Sequence, residues 1–596
     1  MNPSYVPVLP ESAPFTPEQR AYLNGFLAGL FSHAPIGVPS APTKPVSVGL
    51  QSLSILFGSQ TGNCESLAKR LAKEGSKQGF ATTIHDLGKY SVVQLAGEQN
   101  VLILVSTYGD GAPPDNAKAF WDALQAPGVP QMGAVRFSVC AMGDTNYPKF
   151  CAFGKEVDRR LEQLGAQRIH PRTDCDVEYE VPFSTWMAGA LRAFAAKTDA
   201  NAPPTPAPDA ASLPAHPDPA IQEAYSKKRP FPARLVTNRR LNGAGSEKDV
   251  RHFEIALGTS GLTYEVGDAL GVLPQNDPVL VAEILAVLGA SGTESVTIKD
   301  GLTGTLRGVL TQNLEITKAP KALLGTLAQK SGDAELIRLL TLEASADLTQ
   351  FLYGRELIDF LSSYPAVKFA PQEFVDFLRK LQPRLYSISS SPKAHPGEVH
   401  LTVASVRYES HGRKRNGVCS TFLADRVGTE TQVPIFVHAN KAFRPPPGDR
   451  PLIMVGPGTG IAPFRAFLEE RQATGAKGRN WLFFGDQKSS TDFLYQNELE
   501  VYFRDGLLTR LDVAWSRDQA RKVYVQDKMR LHAGELYRWL EDGAGFYVCG
   551  DASRMAKDVD VALQELIQSA GAKTPEQAID YVKQLKANQR YLRDVY

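Results

Sequence analysis

The chain has 596 residues, which is too long for one hydrophobic core and predicts several domains. A formal net charge of +1 and 43% hydrophobic residues are typical of a soluble protein, and they exclude the global basic excess that recruits nucleic acid. The six cysteines form no C-x-x-C pair, which argues against a disulfide framework and a metal site and favours the cytoplasm.

Residues 1–50 form an N-terminal extension without a motif that assigns a function. Its most apolar stretch, Leu23 to Phe31, is about half the roughly 20 residues that a membrane span requires. It also lacks the basic region and cleavage site of a signal peptide. We predict a short amphipathic helix begun by Thr16 and Pro17, and we regard the extension as a candidate contact for homo-oligomer formation.

Residues 51–198 alternate short apolar runs with helical patterns. Strands are predicted at 54–57, 101–105 and 137–141, and a helical stretch follows the first of them as far as Gln78. Continuous apolar strands separated by helices indicate a parallel, doubly wound sheet that is covered on both faces.

Three polar loops follow these strands, with the sequences GSQTGN, STYGDG and MGDTNY. Such loops converge at the carboxyl edge of the sheet, where backbone N–H groups and hydroxyls bind phosphate and Tyr108 and Tyr147 can enclose a planar ring. Taken alone, the first loop also suits a plain polar turn, and each tyrosine suits an ordinary loop or core position. The candidate residues are Ser59, Gln60, Thr61, Gly62, Asn63, Ser106, Thr107, Tyr108, Gly109, Gly143, Asp144, Asn146 and Tyr147.

Together these loops resemble the flavodoxin-like domain of diflavin reductases, over most of residues 52–196. The resemblance implies bound FMN, with the Gly109 carbonyl facing the flavin N5 and stabilising the one-electron-reduced ring. Acidic residues near the loops are either a solvated face or a docking patch for an electron acceptor. These are Asp110, Asp115, Asp144, Asp174, Asp176 and Glu178.

A Pro- and Ala-rich segment, residues 199–222, reads as an extended linker, because it cannot bury enough apolar surface to fold. Residues 223–447 are rich in short strands and turns, which predicts an antiparallel barrel, interrupted at about 277–377 by a helical insertion. Helical patterns such as VAEILAVLG and FVDFLRKL indicate this insertion. In residues 448–596 strand and helix patterns alternate again, and we expect a second, Rossmann-like doubly wound sheet.

The runs RLYSISS, GVCST and GPGTGIAP follow one another in the order and spacing of the ferredoxin–NADP reductase family, which this half of the chain resembles. Chemically, Arg384 can hold a pyrophosphate, Tyr386 can cover a flavin face and Ser387 can reach N5. The resemblance implies FAD in the barrel. The candidate FAD residues are Arg384, Leu385, Tyr386, Ser387, Thr402, Val403, Ala404, Tyr408, Gly417, Val418, Cys419 and Ser420.

Arg517 and Lys522 favour NADPH over NADH, because NAD sites usually offer a carboxylate to the ribose whereas cationic side chains attract a 2′-phosphate. In isolation, two basic loop residues are more often solvent-exposed filler. The candidate nucleotide residues are Gly458, Thr459, Ser516, Arg517, Lys522, Tyr524, Gln526 and Asp558.

The family resemblance further implies a catalytic set of Ser387, Cys549 and Asp594 around the nicotinamide, with Tyr596 over the FAD ring. Without that resemblance, Cys549 reads as a small core hydrophobe and Tyr596 as a frayed chain end.

Stretches such as NWLFFGD, AWSRDQ and YVCGDASRMAKDV make the chain similar to the flavoprotein (alpha) subunits of assimilatory NADPH–sulfite reductases. That family implies electron flow from NADPH to FAD, to FMN and then to a sirohaem and iron–sulfur (beta) subunit that reduces sulfite to sulfide. Soluble diflavin reductases that serve another haem or redox acceptor, such as cytochrome P450 or methionine synthase reductases, share these motifs and remain alternatives. A binding module without catalysis is disfavoured because Ser387, Cys549 and Asp594 are all present.

Overall fold

The computed structural model describes residues 51–59, 62–108, 111–143, 149–176, 179–195, 225–341, 346–428 and 431–596. Residues 1–50, with the predicted amphipathic helix, and the whole Pro- and Ala-rich segment 199–222 therefore lie outside the described residues.

The first folded region is a parallel sheet of six strands in the order β2-β1-β3-β4-β5, with β6 also pairing with β4. Its central strands are buried on both faces, which explains the uninterrupted apolar runs in the sequence. The strands are β1 (Gln51–Gly58), β2 (Phe80–Asp86), β3 (Asn100–Ser106), β4 (Arg136–Met142), β5 (Gln167–Arg168) and β6 (Thr173–Cys175).

Helices cover both faces of this sheet, and each face has its own hydrophobic core. The helices are α1 (Asn63–Lys77), α2 (Val92–Ala96), α3 (Asp115–Gln125), α4 (Ala152–Gln163) and α5 (Glu180–Ala195). The strand order is that of the flavodoxin-like fold and places the loops after β1, β3 and β4 at one edge.

The next region is an antiparallel sheet in the order β14-β9-β18-β7-β8-β15. A bridge between Ile388 and Leu401 joins its two edges and closes the barrel around a single core. Its strands are β7 (Phe231–Arg240), β8 (Val250–Ala256), β9 (Ala269–Val272), β14 (Arg384–Ser387), β15 (Glu398–Ala404) and β18 (Gln432–His438). A hairpin of β16 (Arg407–Ser410) and β17 (Arg413–Asn416), helix α13 (Val418–Thr421) and one π turn (Phe422–Arg426) precede β18.

The insertion between β9 and β14 is largely helical, as predicted, and has a core of its own. Its helices are α6 (Pro278–Leu288), α7 (Leu306–Gln312), α8 (Lys321–Ser331), α9 (Ala334–Thr341), α10 (Ala346–Leu352), α11 (Leu357–Ser363) and α12 (Pro371–Phe377). It also contains the short strands β10 (Ser295–Thr297), β11 (Thr303–Thr305), β12 (Leu314–Glu315) and β13 (Arg379–Lys380).

One expectation for this insertion is wrong in detail. The run FVDFLRKL was predicted to be helical throughout, but α12 ends at Phe377, and Arg379 and Lys380 pair with β12. Pairing of these residues with a strand distant in sequence overrides their local helical preference.

The C-terminal region is a parallel sheet of five strands in the order β21-β20-β19-β22-β23, with a core on each face. Its strands are β19 (Leu452–Val455), β20 (Asn480–Asp486), β21 (Arg510–Trp515), β22 (Gly545–Gly550) and β23 (Tyr591–Val595). Its helices are α14 (Ala462–Ala473), α15 (Ser489–Asp492), α16 (Gln496–Arg504), α17 (Val525–Leu531), α18 (Ala533–Glu541), α19 (Met555–Gly571) and α20 (Pro575–Ala587).

The three predicted fold types are therefore confirmed: a flavodoxin-like sheet, an antiparallel barrel with a helical insertion, and a second doubly wound sheet. Among the helices that the structure describes, none combines the length and the apolar character needed to cross a bilayer.

Candidate functional site

The first site lies at the edge of the flavodoxin-like sheet, where β1 leads into α1. Gly62 precedes α1 with a φ of 83°, in the left-handed region, and has no side chain with which to cap this helix. The positive end of α1 thus suits an anion such as a phosphate. Ser59 is held nearby, because its hydroxyl accepts from the Cys64 N–H at 3.2 Å.

Asn116, at the start of α3, is a positioning residue that the sequence analysis missed. Its Oδ1 accepts from the Ser59 N–H at 2.9 Å, and its Nδ2 donates to Asp86 Oδ1 at 2.9 Å. Asn116 thereby fixes the loop after β1 from two sides. An asparagine directly after the PPD turn was the only signal in the sequence.

The loops after β3 and β4 are brought to the same edge. The N–H of Thr107, which follows Ser106 at the end of β3, donates to Met142 O at 2.9 Å, and the N–H of Gly143 donates to Cys175 O at 2.9 Å. Tyr108 exchanges two backbone hydrogen bonds with Ala112, which holds these two residues together. Gln60, Thr61, Gly109, Asp144, Asn146 and Tyr147 lie outside the described residues, as do Asp110 and Glu178.

The candidate FAD residues follow two elements of the barrel. Along β14, Arg384 is 3.6 Å from Glu315 (Nη2 to Oε2), Leu385 is exposed, and Tyr386 packs against the barrel core. At the start of α13, Gly417 and Val418 are half-buried, and Cys419 and Ser420 are buried. The expected phosphate-binding turn therefore lies at a helix start, as the sequence predicted.

The β15 and β16 candidates point in several directions. The Thr402 hydroxyl lies 2.6 Å from the Tyr495 hydroxyl, Val403 is in the barrel core, and Ala404 is exposed at the end of β15. Tyr408 is half-exposed on the hairpin of β16 and β17. The structure does not gather these four residues around one point.

The three predicted catalytic residues do converge. Ser387 ends β14, and its hydroxyl donates to Asp594 Oδ2 at 2.6 Å; the Cys549 thiol lies 4.0 Å from the same oxygen. Cys549 and Asp594 are register partners on the adjacent parallel strands β22 and β23. The set therefore joins the barrel to the C-terminal sheet at one point.

Burial sets the charges of this set. It raises the pKa of the Asp594 carboxyl, although the hydrogen bond from Ser387 opposes the rise. Burial, reinforced by the Asp594 charge, raises the pKa of the Cys549 thiol well above its usual value. Cys549 is thus a neutral thiol rather than a thiolate nucleophile.

A glycine allows the nucleotide loop to reach this set. Gly458 and Thr459 begin a turn that ends beside Cys549, and a Cβ built on Gly460 would lie 2.1 Å from the Cys549 carbonyl oxygen. Any side chain at Gly460 would push the loop away, so the glycine run fits a dinucleotide laid across this strand end.

The chain terminus is anchored rather than frayed. The Tyr596 N–H donates to Gly550 O at 3.1 Å, its carbonyl accepts from the Ala552 N–H at 3.1 Å, and its hydroxyl lies 2.8 Å from the Thr459 hydroxyl. Its side chain is 63% exposed beside the catalytic set. The terminal ring thus has a defined position, and its role over a flavin stays a prediction.

The remaining nucleotide candidates surround the ends of β20 and β21. The Ser516 N–H donates to Asp486 O at 2.9 Å, the Arg517 N–H donates to Gln487 O at 2.8 Å, and Lys522 is exposed. The Gln526 amide reaches Asp558 at 3.3 Å, next to the exposed Tyr524. The Arg517 side chain, however, is engaged by Glu247, which the sequence analysis did not consider.

A second missed group is the buried Arg465 on α14. Its guanidinium donates to the Ser389 carbonyl at 2.7 Å and pairs with Glu498 at 2.7 Å and Glu469 at 2.8 Å. Since Ser389 follows Ser387 by two residues, Arg465 ties the helix after the nucleotide loop to the strand that carries Ser387. The i,i+4 spacing of Arg465 and Glu469 in an otherwise apolar run was its signal.

The flavodoxin-like sheet meets this site directly. The Tyr108 hydroxyl donates to the carbonyl of Val595, and the Arg593 guanidinium forms an ion pair with Asp115. A further pair joins Arg379 to Asp176 at 3.6 Å. The rim of the predicted FMN site thus contacts the strand that holds Asp594.

Family models match all three regions of the chain. A flavodoxin model covers residues 55–186, an FAD-binding domain model covers 223–422 and an oxidoreductase NAD-binding domain model covers 454–561. Together with the fold and the converging site, these matches define a diflavin reductase, an oxidoreductase that uses FMN, FAD and NADPH.

Relatives narrow the class further. The sulfite reductase (NADPH) flavoprotein alpha-component of Bacillus subtilis is 43% identical over 588 residues, which is 98% of this chain and 96% of that protein. The proteins of the same name from Photorhabdus laumondii and Klebsiella pneumoniae are each 41% identical, over 100% and 98% of this chain and 99% and 96% of their own lengths. The chain belongs to the family of sulfite reductase (NADPH) flavoprotein alpha-components.

Proposed function

We propose that this protein moves electrons from NADPH to FAD, then to FMN, and finally to a sirohaem and iron–sulfur sulfite reductase subunit that reduces sulfite to sulfide. When bound, FAD accepts the hydride of NADPH and FMN passes the electrons on singly. The chain's contribution is to bind, orient and dock these groups.

The contact of three elements at one point carries this proposal. The Ser387 hydroxyl and the Cys549 thiol share Asp594 Oδ2, and the next residue along β23, Val595, accepts a hydrogen bond from Tyr108. In this proposal, a hydride donor site, an FAD site and an FMN site would lie next to one another. This adjacency is what a relay from a two-electron donor to a one-electron acceptor requires.

Each catalytic residue has a distinct task in this proposal. Asp594 stabilises the positive charge that develops on a nicotinamide as its hydride leaves, and Ser387 orients that carboxylate. The neutral Cys549 thiol fills the space beside the reacting carbon and forms no covalent bond. Tyr596 shields the flavin face until NADPH displaces it.

The family supports the identity of the acceptor, because its members are named sulfite reductase (NADPH) flavoprotein alpha-components. We propose a haemoprotein (beta) subunit as partner and the cytoplasm as location, which fits the six free cysteines. Association of copies through residues 1–50 stays a prediction, because that segment lies outside the described residues.

Sulfide formation tests this function. The NADPH-reduced protein is mixed with a sirohaem sulfite reductase subunit and sulfite, and sulfide is measured against NADPH consumed. We expect three NADPH per sulfide, because sulfite reduction needs six electrons, and we expect Ser387→Ala to lower the rate.

Ser363→Ala is the matched control, since this hydroxyl lies on the surface of the helical insertion and bonds its own helix. Reduction of ferricyanide without any sulfide would show that the flavins work but that the acceptor is a different protein.

A further inference from the structure

The hairpin that joins β7 to β8 in the barrel is docked on the C-terminal sheet. Its Gly243 N–H donates to Thr491 O at 2.8 Å, and Asn242 Nδ2 and Ser246 Oγ donate to Asp492 Oδ1 at 2.9 and 2.5 Å. Lys248 adds an ion pair with the buried Asp486. The hairpin is therefore held on both sides of Glu247.

Glu247 also contacts the C-terminal sheet, but it does so through an exposed ion pair rather than through the more buried bonds of its neighbours. Its side chain is 62% exposed, and its Oε2 lies 2.5 Å from Arg517 Nη1. The Arg517 backbone is fixed by its bond to Gln487 O, so the guanidinium projects from a defined position. The Glu247 carboxylate, which belongs to the barrel, is thus paired with the cation that is expected to bind the 2′-phosphate.

We propose that Glu247 is a specificity-determining residue, an internal counter-ion that competes with the 2′-phosphate of NADPH for Arg517. This inference rests on the proposed function, in which Arg517 binds that phosphate. A 2′-phosphate carries about 1.5–2 negative charges near pH 7, and a carboxylate on the same guanidinium repels it and occupies donors that it would use. Binding of NADPH therefore weakens the pair of Arg517 and Glu247.

Two consequences follow from this competition. Glu247 weakens the binding of nucleotides that carry a 2′-phosphate and does not change the binding of nucleotides without one. It also favours release of NADP⁺, because Arg517 regains its partner when the nucleotide leaves. Glu247 thus lowers the affinity for the nucleotide and favours its release, which supports repeated turnover.

Calorimetric binding of 2′,5′-ADP and of 5′-AMP to the full-length holoenzyme tests the proposal without relying on activity. Glu247→Gln should bind 2′,5′-ADP about two- to fivefold more tightly, the range set by an exposed ion pair. Its 5′-AMP affinity should not change. Glu247 is exposed, so the substitution leaves the folded core intact.

Asp542→Asn is the matched control, because Asp542 pairs with Arg479 at 2.6 Å with similar exposure. This variant should bind both ligands as the unchanged protein does. In an Arg517→Ala background, the gain from Glu247→Gln should disappear, and in the unchanged background it should shrink as salt is raised.

Two results would distinguish a wrong role for Glu247 from a wrong assignment of Arg517. If Arg517→Ala weakens 2′,5′-ADP selectively but Glu247→Gln changes nothing, the counter-ion role is wrong and the assignment of Arg517 stands. If Arg517→Ala weakens both ligands equally, Arg517 does not read the 2′-phosphate, and the role of Glu247 falls with it.

Discussion

Asp594 joins the two parts of the predicted hydride-transfer site, Ser387 on the barrel and Cys549 on the C-terminal sheet. It is buried, it accepts from Ser387 on the barrel, and it lies beside Cys549 on the neighbouring strand. A buried carboxylate is costly to keep charged, and its pKa rises as a result. In the proposed mechanism, the positive charge that develops on a nicotinamide ring beside Asp594 would offset that cost.

Asp594→Asn should therefore slow reduction of FAD by NADPH about ten- to a hundredfold, because a hydrogen bond or contact to a charged group contributes roughly 1.5–3 kcal/mol. Stopped-flow absorbance of the flavin measures this step. The unchanged protein should also lose rate as pH falls toward the raised pKa of Asp594, and the variant should lack that acidic limb.

Asp580→Asn is the control for this prediction, since Asp580 pairs with Lys583 on the exposed face of α20. A normal rate and an unchanged pH profile in Asp594→Asn would remove the carboxylate from the mechanism.

At the scale of elements, the pair β8 and β15 presents an unusual polar face to the C-terminal sheet. His252 and Glu254 on β8 lie opposite Thr402 and His400 on β15. His252 and His400 are buried, with ring centroids 5.0 Å apart. Groups from the other elements complete this face: Arg465, Glu469, Tyr495, Glu498, His395, Glu398 and Thr237.

Both imidazoles are held neutral. Burial lowers the pKa of His252, with a further contribution from Arg465, and burial also lowers the pKa of His400, with a further contribution from His395. A histidine whose folded-state pKa lies below its unfolded value of about 6.5 binds protons mainly in the unfolded chain. Its contribution to stability is thus present above that pH and is lost as the pH falls.

The junction of barrel and C-terminal sheet should accordingly weaken between pH 7 and pH 5, by at most about 1.4 kcal/mol per pH unit for each histidine. The urea midpoint for FAD release, followed by flavin fluorescence, measures this. His400→Gln should show a smaller fall between these two pH values, whereas the exposed His411→Gln should match the unchanged protein. Parallel falls in all three proteins would contradict the role of this histidine pair.

At the scale of the whole molecule, the contact of the flavodoxin-like sheet with β23 matters most. Arg593 and Val595 flank Asp594 and engage Asp115 and Tyr108. In the proposed relay, FMN approaches FAD to be reduced and is then offered to a partner protein. We predict that both contacts use the same rim, so that the docked arrangement would be one of two that the reaction needs.

Asp115→Arg should slow electron transfer from FAD to FMN about three- to tenfold, because it replaces an ion pair with like charges at an exposed contact. The NADPH-to-FAD step should keep its rate, since Asp115 does not touch the catalytic set. Combining Asp115→Arg with Arg593→Glu should restore much of the second step. Failure of the double variant to recover, with intact FAD reduction, would mean that this pair does not guide docking.

The extent of each hydrophobic core indicates which fragments of the chain can fold on their own. The two cores of the flavodoxin-like sheet use residues from 53 to 194 alone. The barrel and the C-terminal sheet instead share a core, in which Val250, Val266 and Phe443 pack with residues of α14 and β22. The predicted boundary near residue 447 thus divides the predicted FAD-binding region from the predicted NADPH-binding region. It does not divide the chain into parts with independent hydrophobic cores.

A fragment that ends near Ala200 should therefore fold and bind FMN, and residues 221–596 should bind FAD and oxidise NADPH. Residues 221–447 alone should aggregate, because the shared core would be exposed. Gel filtration and flavin fluorescence of the three fragments measure this. A stable, FAD-binding 221–447 fragment would show that the shared core is dispensable.

The sequence by itself determined the three fold types and the cofactor class, and the family resemblance supplied Ser387, Cys549 and Asp594 as the predicted catalytic set. The fold types follow from local information: apolar runs report parallel strands, and each loop motif spans only a few residues next to a strand end. The helical end of FVDFLRKL was the local prediction that failed, because a partner strand about 65 positions away along the chain decided it.

Only the tertiary structure decided which distant groups meet. Ser387 and Asp594 are 207 positions apart, Arg517 and Glu247 are 270 apart, and Tyr108 and Val595 are 487 apart. Periodic sequence patterns do not predict such pairs, because the pairs depend on how the three folded regions pack against one another. Glu247, Arg465 and Asn116 escaped the sequence analysis for that reason: each acts through a partner on another element, and alone each is an ordinary polar residue.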